Sequence, residues 1–216
     1  MARQFGPVVS GKFYPGSRDE LVDRIEGCYT HRYGPGDIPA SQNSELTFPV
    51  GIISPHAGYP YSGPIAAHAF SWVAKIGKPK VVIVIGTNHS GLGSPASLIS
   101  EGSWSTPLGE VNFNTDLAER LLDSSELLSE DTAPFGREHS IEVQLPFLQH
   151  LWEDRFSLVP ICLKDQSEDV AVEVSKALER NVPPGTLVVS STDFTHYESQ
   201  EDAEKKLVEV INETHD

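Results

Sequence analysis

Short runs of β-branched residues that alternate with helix-periodic stretches are the feature that most limits how this chain can fold. The runs are nearly continuous in apolar residues, as expected of strands buried on both faces of a sheet. Strands separated by helical stretches favour parallel neighbours joined by crossover helices. The predicted strands cover residues 50–54, 81–85, 156–162 and 186–190. We therefore expect an α/β fold with a central, mostly parallel sheet flanked by helices.

Helix-periodic stretches lie between and after these runs, and two prolines constrain the predicted elements. The predicted helices cover residues 17–29, 62–75, 115–122, 141–151, 167–180 and 201–213. Pro146 falls inside the fourth helix, so we expect a kink or a late start there. Pro160 falls inside a predicted strand and favours an edge position or a bulge, because proline cannot donate to a ladder.

Length and charge restrict the class of protein. A chain of 216 residues suits one domain, which we expect to cover residues 1–216. The 31 acidic and 16 basic side chains give a formal net charge of −15. Nucleic acids and anionic membranes both require a positive surface, so neither is an expected partner. No apolar run is long enough to span a bilayer and no signal peptide is evident, so we expect a cytoplasmic location.

Three histidines follow the predicted carboxyl ends of three strands. His56 comes after the strand at 50–54, and His89 comes after the strand at 81–85. His196 follows the strand at 186–190. In open α/β sheets the ligand binds at the edge where parallel strands end. We therefore expect these three histidines to share one site.

Further polar residues near these ends suggest metal chemistry. His139, beside Glu138, directly precedes a predicted helix and is expected to approach the same cleft. Neutral imidazole binds iron, copper or zinc, and two histidines with one anionic ligand form a non-haem Fe(II) site. A histidine that is not bound to metal can act as a general base. Asp193, close to His196 in sequence, is placed to orient or polarise an imidazole.

Three functions are compatible with this set of residues. The first is metal-dependent oxidation of a small molecule, and the second is hydrolysis by a zinc-bound water. The third is a non-catalytic module that binds a peptide or protein in the same cleft. Arg137 is the one basic residue in the segments that carry these histidines, so a phosphopeptide is disfavoured.

The motifs together resemble the Memo family, whose prokaryotic members are also called AmmeMemoRadiSam system protein B. They are PHAGY at 55–59 with YSG at 61–63, GTNH at 86–89, EHSIE at 138–142 with LP at 145–146, SSTDFTH at 190–196 and the opening GKFYP at 11–15. The family is similar to LigB-type class III extradiol dioxygenases, which cleave catechol rings with non-haem Fe(II). The resemblance therefore implies a LigB-like fold and bound Fe(II) or copper, with zinc as an alternative.

The resemblance also implies roles for individual residues. His56 and His89 match the metal-binding histidines, and His196 matches the histidine that acts as a base. Asp193 is assigned to catalysis with His196 from its position in the sequence, not from the resemblance. The expected contacts to the substrate come from residues in or beside the same motifs: Tyr59, Asn88, Glu138 and His139. By family association, a radical-SAM protein and an AMMECR-type protein are candidate partners.

One departure from the family pattern affects the metal site. The third metal ligand of the family is a cysteine in a C-terminal segment beyond the His196 motif, and we expect this chain to lack that segment. Neither Cys28 nor Cys162 matches the family cysteine. Asp193 or Glu138 would then have to supply the anionic ligand.

Overall fold

The computed structural model describes residues 3–42 and 44–213. The strands are β1 (Gln4–Phe5), β2 (Val50–Ser54), β3 (Val81–Thr87), β4 (Ala96–Leu98), β5 (Ser103–Thr106), β6 (Gly109–Asn112), β7 (Leu128–Glu130), β8 (Ser157–Leu163) and β9 (Thr186–Ser191). The helices are α1 (Arg18–Thr30), α2 (Tyr59–Ile76), α3 (Thr115–Asp123), α4 (Leu145–Trp152), α5 (Glu168–Asn181) and α6 (Gln200–Glu213). A 3₁₀ turn over Glu142–Gln144 leads into α4. All four predicted strands and all six predicted helices are therefore present.

The central sheet has six strands in the order β2-β9-β3-β8-β4-β7. The first four of these are parallel to one another. The short strands β4 and β7 run in the opposite direction, because β4 pairs antiparallel with β8 and parallel with β7. The expected single-domain α/β fold with a mostly parallel sheet is confirmed, and the carboxyl ends of β2, β9 and β3 lie side by side.

Helices cover both faces of this sheet, as the alternating side chains of β3 show. Val82 and Val84 belong to the core cluster that also contains residues of α1, α2 and α4. Val81 and Ile83 belong to a second cluster, formed with residues of α3 and α5. Successive side chains of a strand point to opposite faces, so a continuous apolar run serves both clusters at once. Within the described residues, no helix is both long and apolar enough to cross a bilayer.

A second, three-stranded sheet in the order β1-β5-β6 was not predicted. Its strands β5 and β6 form an antiparallel hairpin, and β1 adds to β5 in parallel. Trp104 of β5 is completely buried, with its ring centroid 5.8 Å from that of Phe5. This sheet attaches the beginning of the chain to the core.

The two prolines act differently. Pro146 lies in the first turn of α4, so the expected late start is confirmed. Pro160 does not mark an edge, because β8 lies between β3 and β4. The Leu158 carbonyl accepts a hydrogen bond from the Asn114 amide on the side of β8 that faces away from β3. Backbone groups of alternate residues face the same side of a strand, so the nitrogen of Pro160 also faces away from β3. Since β4 pairs only with residues 161–163, the missing amide hydrogen of Pro160 removes no ladder bond.

Candidate metal centre

Three imidazole side chains converge where the parallel strands end. They belong to His56, His89 and His139, and one ligand atom from each lies within 4.8 Å of the others. The ring centroids of His56 and His89 are 5.1 Å apart, and those of His89 and His139 are 4.3 Å apart. We call these residues the three-histidine group. His56 and His89 each follow the end of a parallel strand, whereas His139 comes from the loop before α4.

A serine of the strand between them fixes the protonation of His56. Nδ1 of His56 lies 3.2 Å from Oγ of Ser191, the last residue of β9. That hydroxyl already donates its hydrogen to the Ser140 carbonyl and also receives a bond from the Gln144 amide. Because Ser191 has one hydrogen to give, Nδ1 of His56 must be the donor. Nε2 of His56 is therefore left with a free lone pair, as a metal ligand requires.

The buried carboxylate of Glu138 fixes the protonation of His89 in the same way. Oε1 of Glu138 lies 3.0 Å from Nδ1 of His89, and Oε2 accepts the His89 amide at 2.7 Å. The same Oε1 accepts the amides of His139 and Ser140. A carboxylate that accepts Nδ1–H of a histidine orients the ring and raises its basicity as a ligand. Glu138 thus organises two members of the three-histidine group through four hydrogen bonds, three of them to Oε1.

The pKa values follow from these contacts. Burial raises the pKa of Glu138, but hydrogen bonds from His89 and Ser140 outweigh it and bring the pKa to about 2. The bond from Glu138 raises the pKa of His89, against the opposing effect of burial. Burial lowers the pKa of His56. Burial, and then the neighbouring His89, lower the pKa of His139 to about 4. Near neutral pH the site therefore contains an anionic Glu138 and uncharged His56 and His139.

The position of His139 depends on close packing between its loop and β3. The Ser140 hydroxyl donates to the Thr87 carbonyl at the end of β3. A Cβ on Gly86 would meet that hydroxyl and would lie 2.7 Å from Cγ1 of Ile141. Only glycine leaves room for this approach. The loop can therefore reach β3 and bring His139 beside His89.

Asp193 contacts His56 rather than His196. Its Oδ1 accepts the His56 amide at 2.9 Å, and its Oδ2 lies 3.9 Å from Nε2 of His56. A carboxylate therefore stands next to the nitrogen that faces the three-histidine group. Asp193 adds negative charge at the edge of the group, where a cation would be held.

His196 lies outside the three-histidine group, on the wall of an adjoining cavity. The cavity has a volume of about 690 Å³, and Asp193 is one of its lining residues. Its apolar walls come from α2, α6 and the segment after β9, and include Tyr61, Ile65, Phe194 and Leu207. The His196 ring is exposed and packs 4.4 Å from the ring of Tyr197. His196 and Asp193 thus line the same cavity, and the expectation that His196 shares one site with His56 and His89 stays a prediction.

Two residues expected to contact substrate make other contacts. Tyr59 is buried at the start of α2, and its hydroxyl donates to the Val143 carbonyl. The side-chain amide of Asn88 forms hydrogen bonds within its own loop. Its nitrogen donates to the Leu92 carbonyl, and its oxygen accepts from Ser90 and Gly91. These bonds shape the loop that carries His89. Contact of Tyr59 and Asn88 with a substrate stays a prediction.

Both cysteines are buried and neither belongs to the three-histidine group. Burial raises the pKa of the Cys28 thiol to about 11, and it also raises the pKa of Cys162. Both thiols are therefore protonated near neutral pH in the metal-free protein. That neither cysteine replaces the family cysteine stays a prediction.

The fold and the site define an α/β protein with a candidate metal centre at the carboxyl edge of its parallel strands. The chain belongs to the Memo family, because a family model described as Memo-like protein matches residues 6–216. A MEMO1 family protein from Thermotoga neapolitana is 50% identical over 215 residues, covering 95% of this chain and 76% of the relative. A MEMO1 family protein from Methanopyrus kandleri is 42% identical over 208 residues, covering 95% and 73%.

Proposed function

We propose that this protein binds iron or copper through the three-histidine group and uses it to oxidise a small molecule held in the adjoining cavity. The observation that carries the proposal is the group itself, in which Ser191 and Glu138 fix the protonation of two histidines. Imidazole nitrogens suit iron, copper and zinc, so the chemistry of the donor atoms fits such an ion. When bound, iron or copper supplies one-electron and oxygen chemistry that side chains lack.

The surrounding residues support a cation and a proton transfer. Glu138 is fully buried and anionic, and Asp193 stands beside Nε2 of His56. Both carboxylates offset positive charge in the group. His196 faces the cavity, where it accepts a proton from a substrate hydroxyl as the family resemblance implies.

The lining of the cavity indicates the class of substrate. Aromatic and aliphatic side chains form most of its wall, with Asp193 and Glu204 as acidic members. None of the described residues that line it is lysine or arginine. Aromatic faces and carboxylates attract cations and reject phosphate or carboxylate groups. We therefore propose an aromatic substrate that is neutral or positively charged, in preference to an anionic peptide.

The test is elemental analysis of protein purified under anaerobic conditions, before and after reconstitution with Fe(II) or copper. The test variant is His56→Ala/His89→Ala. The matched control is His68→Ala, which removes an exposed histidine whose ring bonds to the Tyr33 carbonyl. We expect about one equivalent of iron or copper in the parent and in the control, and loss of that metal from the double variant.

The outcomes separate the candidate functions. Iron or copper that is lost with the two histidines supports the proposal and justifies assays of oxygen consumption with aromatic hydroxy compounds. Stoichiometric zinc lost in the same way would instead favour a hydrolase, because three histidines and a water also form catalytic zinc sites. Absence of metal from the reconstituted parent would refute the metal-dependent function and leave a binding module.

A further inference from the structure

A second buried carboxylate, Glu142, has no part in the contacts described so far. Its Oε2 accepts the amide of Val8 at 2.6 Å, and its Oε1 accepts the amide of Val9 at 3.0 Å. Oε1 also accepts the hydroxyl of Tyr14 at 2.6 Å. All three donors belong to residues 8–14, which are remote from Glu142 in sequence. One side chain therefore fastens this whole segment to the turn that precedes α4.

This carboxylate is held without a positively charged partner. Glu142 is completely buried, and within the described residues no lysine, arginine or histidine forms an ion pair with it. Burial raises its pKa despite the three hydrogen bonds. A buried charge that is balanced only by neutral donors is costly, and losing one donor leaves an unsatisfied group. The geometry of residues 8–14 is therefore tightly coupled to Glu142.

The fastened segment contacts one member of the three-histidine group. The ring of Phe13 packs edge-on against the ring of His139, with centroids 4.8 Å apart. The backbone of Phe13 is fixed at both ends, because its amide donates to the Val9 carbonyl and its carbonyl accepts the Tyr59 amide. Phe13 therefore moves only together with residues 8–14. It cannot shift by itself when His139 moves. The segment acts as a wall that holds one histidine in place.

We propose that Glu142 is a positioning residue for the metal centre, acting on His139 through residues 8–14 and the ring of Phe13. Glu142 lies one turn beyond His139, whose carbonyl accepts the Val143 amide. The loop that carries His139 runs directly into the turn that carries Glu142, and the Glu142 side chain joins that turn to the segment that contacts His139. Loss of that connection loosens the segment on both sides of Phe13, at Val9 and Tyr14, and lets its ring shift against the imidazole of His139. This inference rests on the proposed binding of metal by the three-histidine group.

The test combines two substitutions with metal titration. Glu142→Gln keeps the shape of the side chain but places an amide N–H₂ against a backbone donor. Phe13→Ala removes the ring that packs on His139. The Kd for Co(II) and the visible spectrum of the bound ion are measured for each variant and for the double variant. Thr106→Val is the matched control, since it breaks a buried side-chain bond to Gln149 in another part of the molecule.

We expect Glu142→Gln to raise the Kd about tenfold and to alter the Co(II) spectrum, as substitutions behind metal ligands do. Because Glu142 acts through Phe13, we expect Glu142→Gln to have no further effect when Phe13→Ala is already present. Tyr14→Phe removes one of the three bonds and should raise the Kd by less. It provides the same test if Glu142→Gln fails to fold. Thr106→Val should keep the Kd and the spectrum of the parent.

Failure of this inference is distinct from failure of the proposed function. A parent protein that binds neither Co(II) nor the iron or copper of the reconstitution test would refute the metal centre and this inference together. A parent that binds Co(II), with folded Glu142→Gln and Tyr14→Phe variants of unchanged Kd and spectrum, would overturn only the positioning role. Independent, additive effects of Glu142→Gln and Phe13→Ala would likewise show that Glu142 does not act through Phe13.

Discussion

Replacing Glu138 with glutamine should destabilise the metal-free protein by about 3 kcal/mol. The pKa of Glu138 is about 2 in the folded protein, compared with an ordinary value of 4.5. A difference of this size corresponds to about 3 kcal/mol of folding free energy when the carboxyl is ionised. Glutamine removes the charge, and its amide nitrogen faces one of the N–H groups that the carboxylate now accepts. The side chain is completely buried, so solvent does not screen the loss.

The pH dependence gives this prediction its sign. Because the folded pKa lies below the ordinary value, the stabilisation is present above pH 4.5 and is lost as the pH falls through about 2. His89 contributes in the opposite window, since its pKa is raised by Glu138. Its share is complete below pH 6.5 and is lost as the pH rises through the raised value. The difference in stability between parent and Glu138→Gln should therefore be largest between these limits.

Urea unfolding in the presence of a chelator measures the effect. We expect a difference of about 3 kcal/mol near pH 5.5 and about 1 kcal/mol near pH 3, where much of the Glu138 contribution has been lost. Glu142→Gln is the matched control, because burial raises the pKa of Glu142 instead of lowering it. The contribution of the Glu142 carboxyl group to stability should therefore fall as the pH rises. A constant difference for Glu138→Gln across this range would refute the assignment of an ionised carboxylate.

Three further substitutions test the packing around the site. Gly86→Ala should cost about 1–3 kcal/mol and weaken metal binding, because the new methyl group meets Ser140; an unchanged unfolding midpoint would argue against this close approach. Ser191→Ala removes the acceptor of the His56 Nδ1 hydrogen, so the Kd for metal should rise about tenfold in a titration. Asn114→Ala removes the side-chain cap of α3 and should cost about 1 kcal/mol in urea, with metal content unchanged; loss of metal would be unexpected.

The fold was predictable where apolar runs were long and not where strands were short. The runs that form β3 and β8 are each 7 residues long in the structure and were recognised by their β-branched composition. By contrast, β4 and β7 have 3 residues each, too few to show a period. These two strands also run opposite to the other four strands of the sheet. Their direction depends on how the loop after β3 packs. No local pattern in the sequence specifies that packing.

The histidines show how far a strand end can predict a site. His56 and His89 each lie two residues beyond the last residue of their strand, whereas His196 lies five residues beyond β9. Each residue can extend the chain by up to about 3.5 Å. A side chain two residues beyond a strand therefore stays at the edge of the sheet, whereas one five residues beyond can lie farther away. The position beside His56 at the end of β9 is taken by Ser191, whose hydroxyl sets the protonation of that histidine. The middle strand therefore supplies the acceptor that prepares a ligand, and the third imidazole comes from His139, which reaches the group only because Gly86 leaves room for its loop.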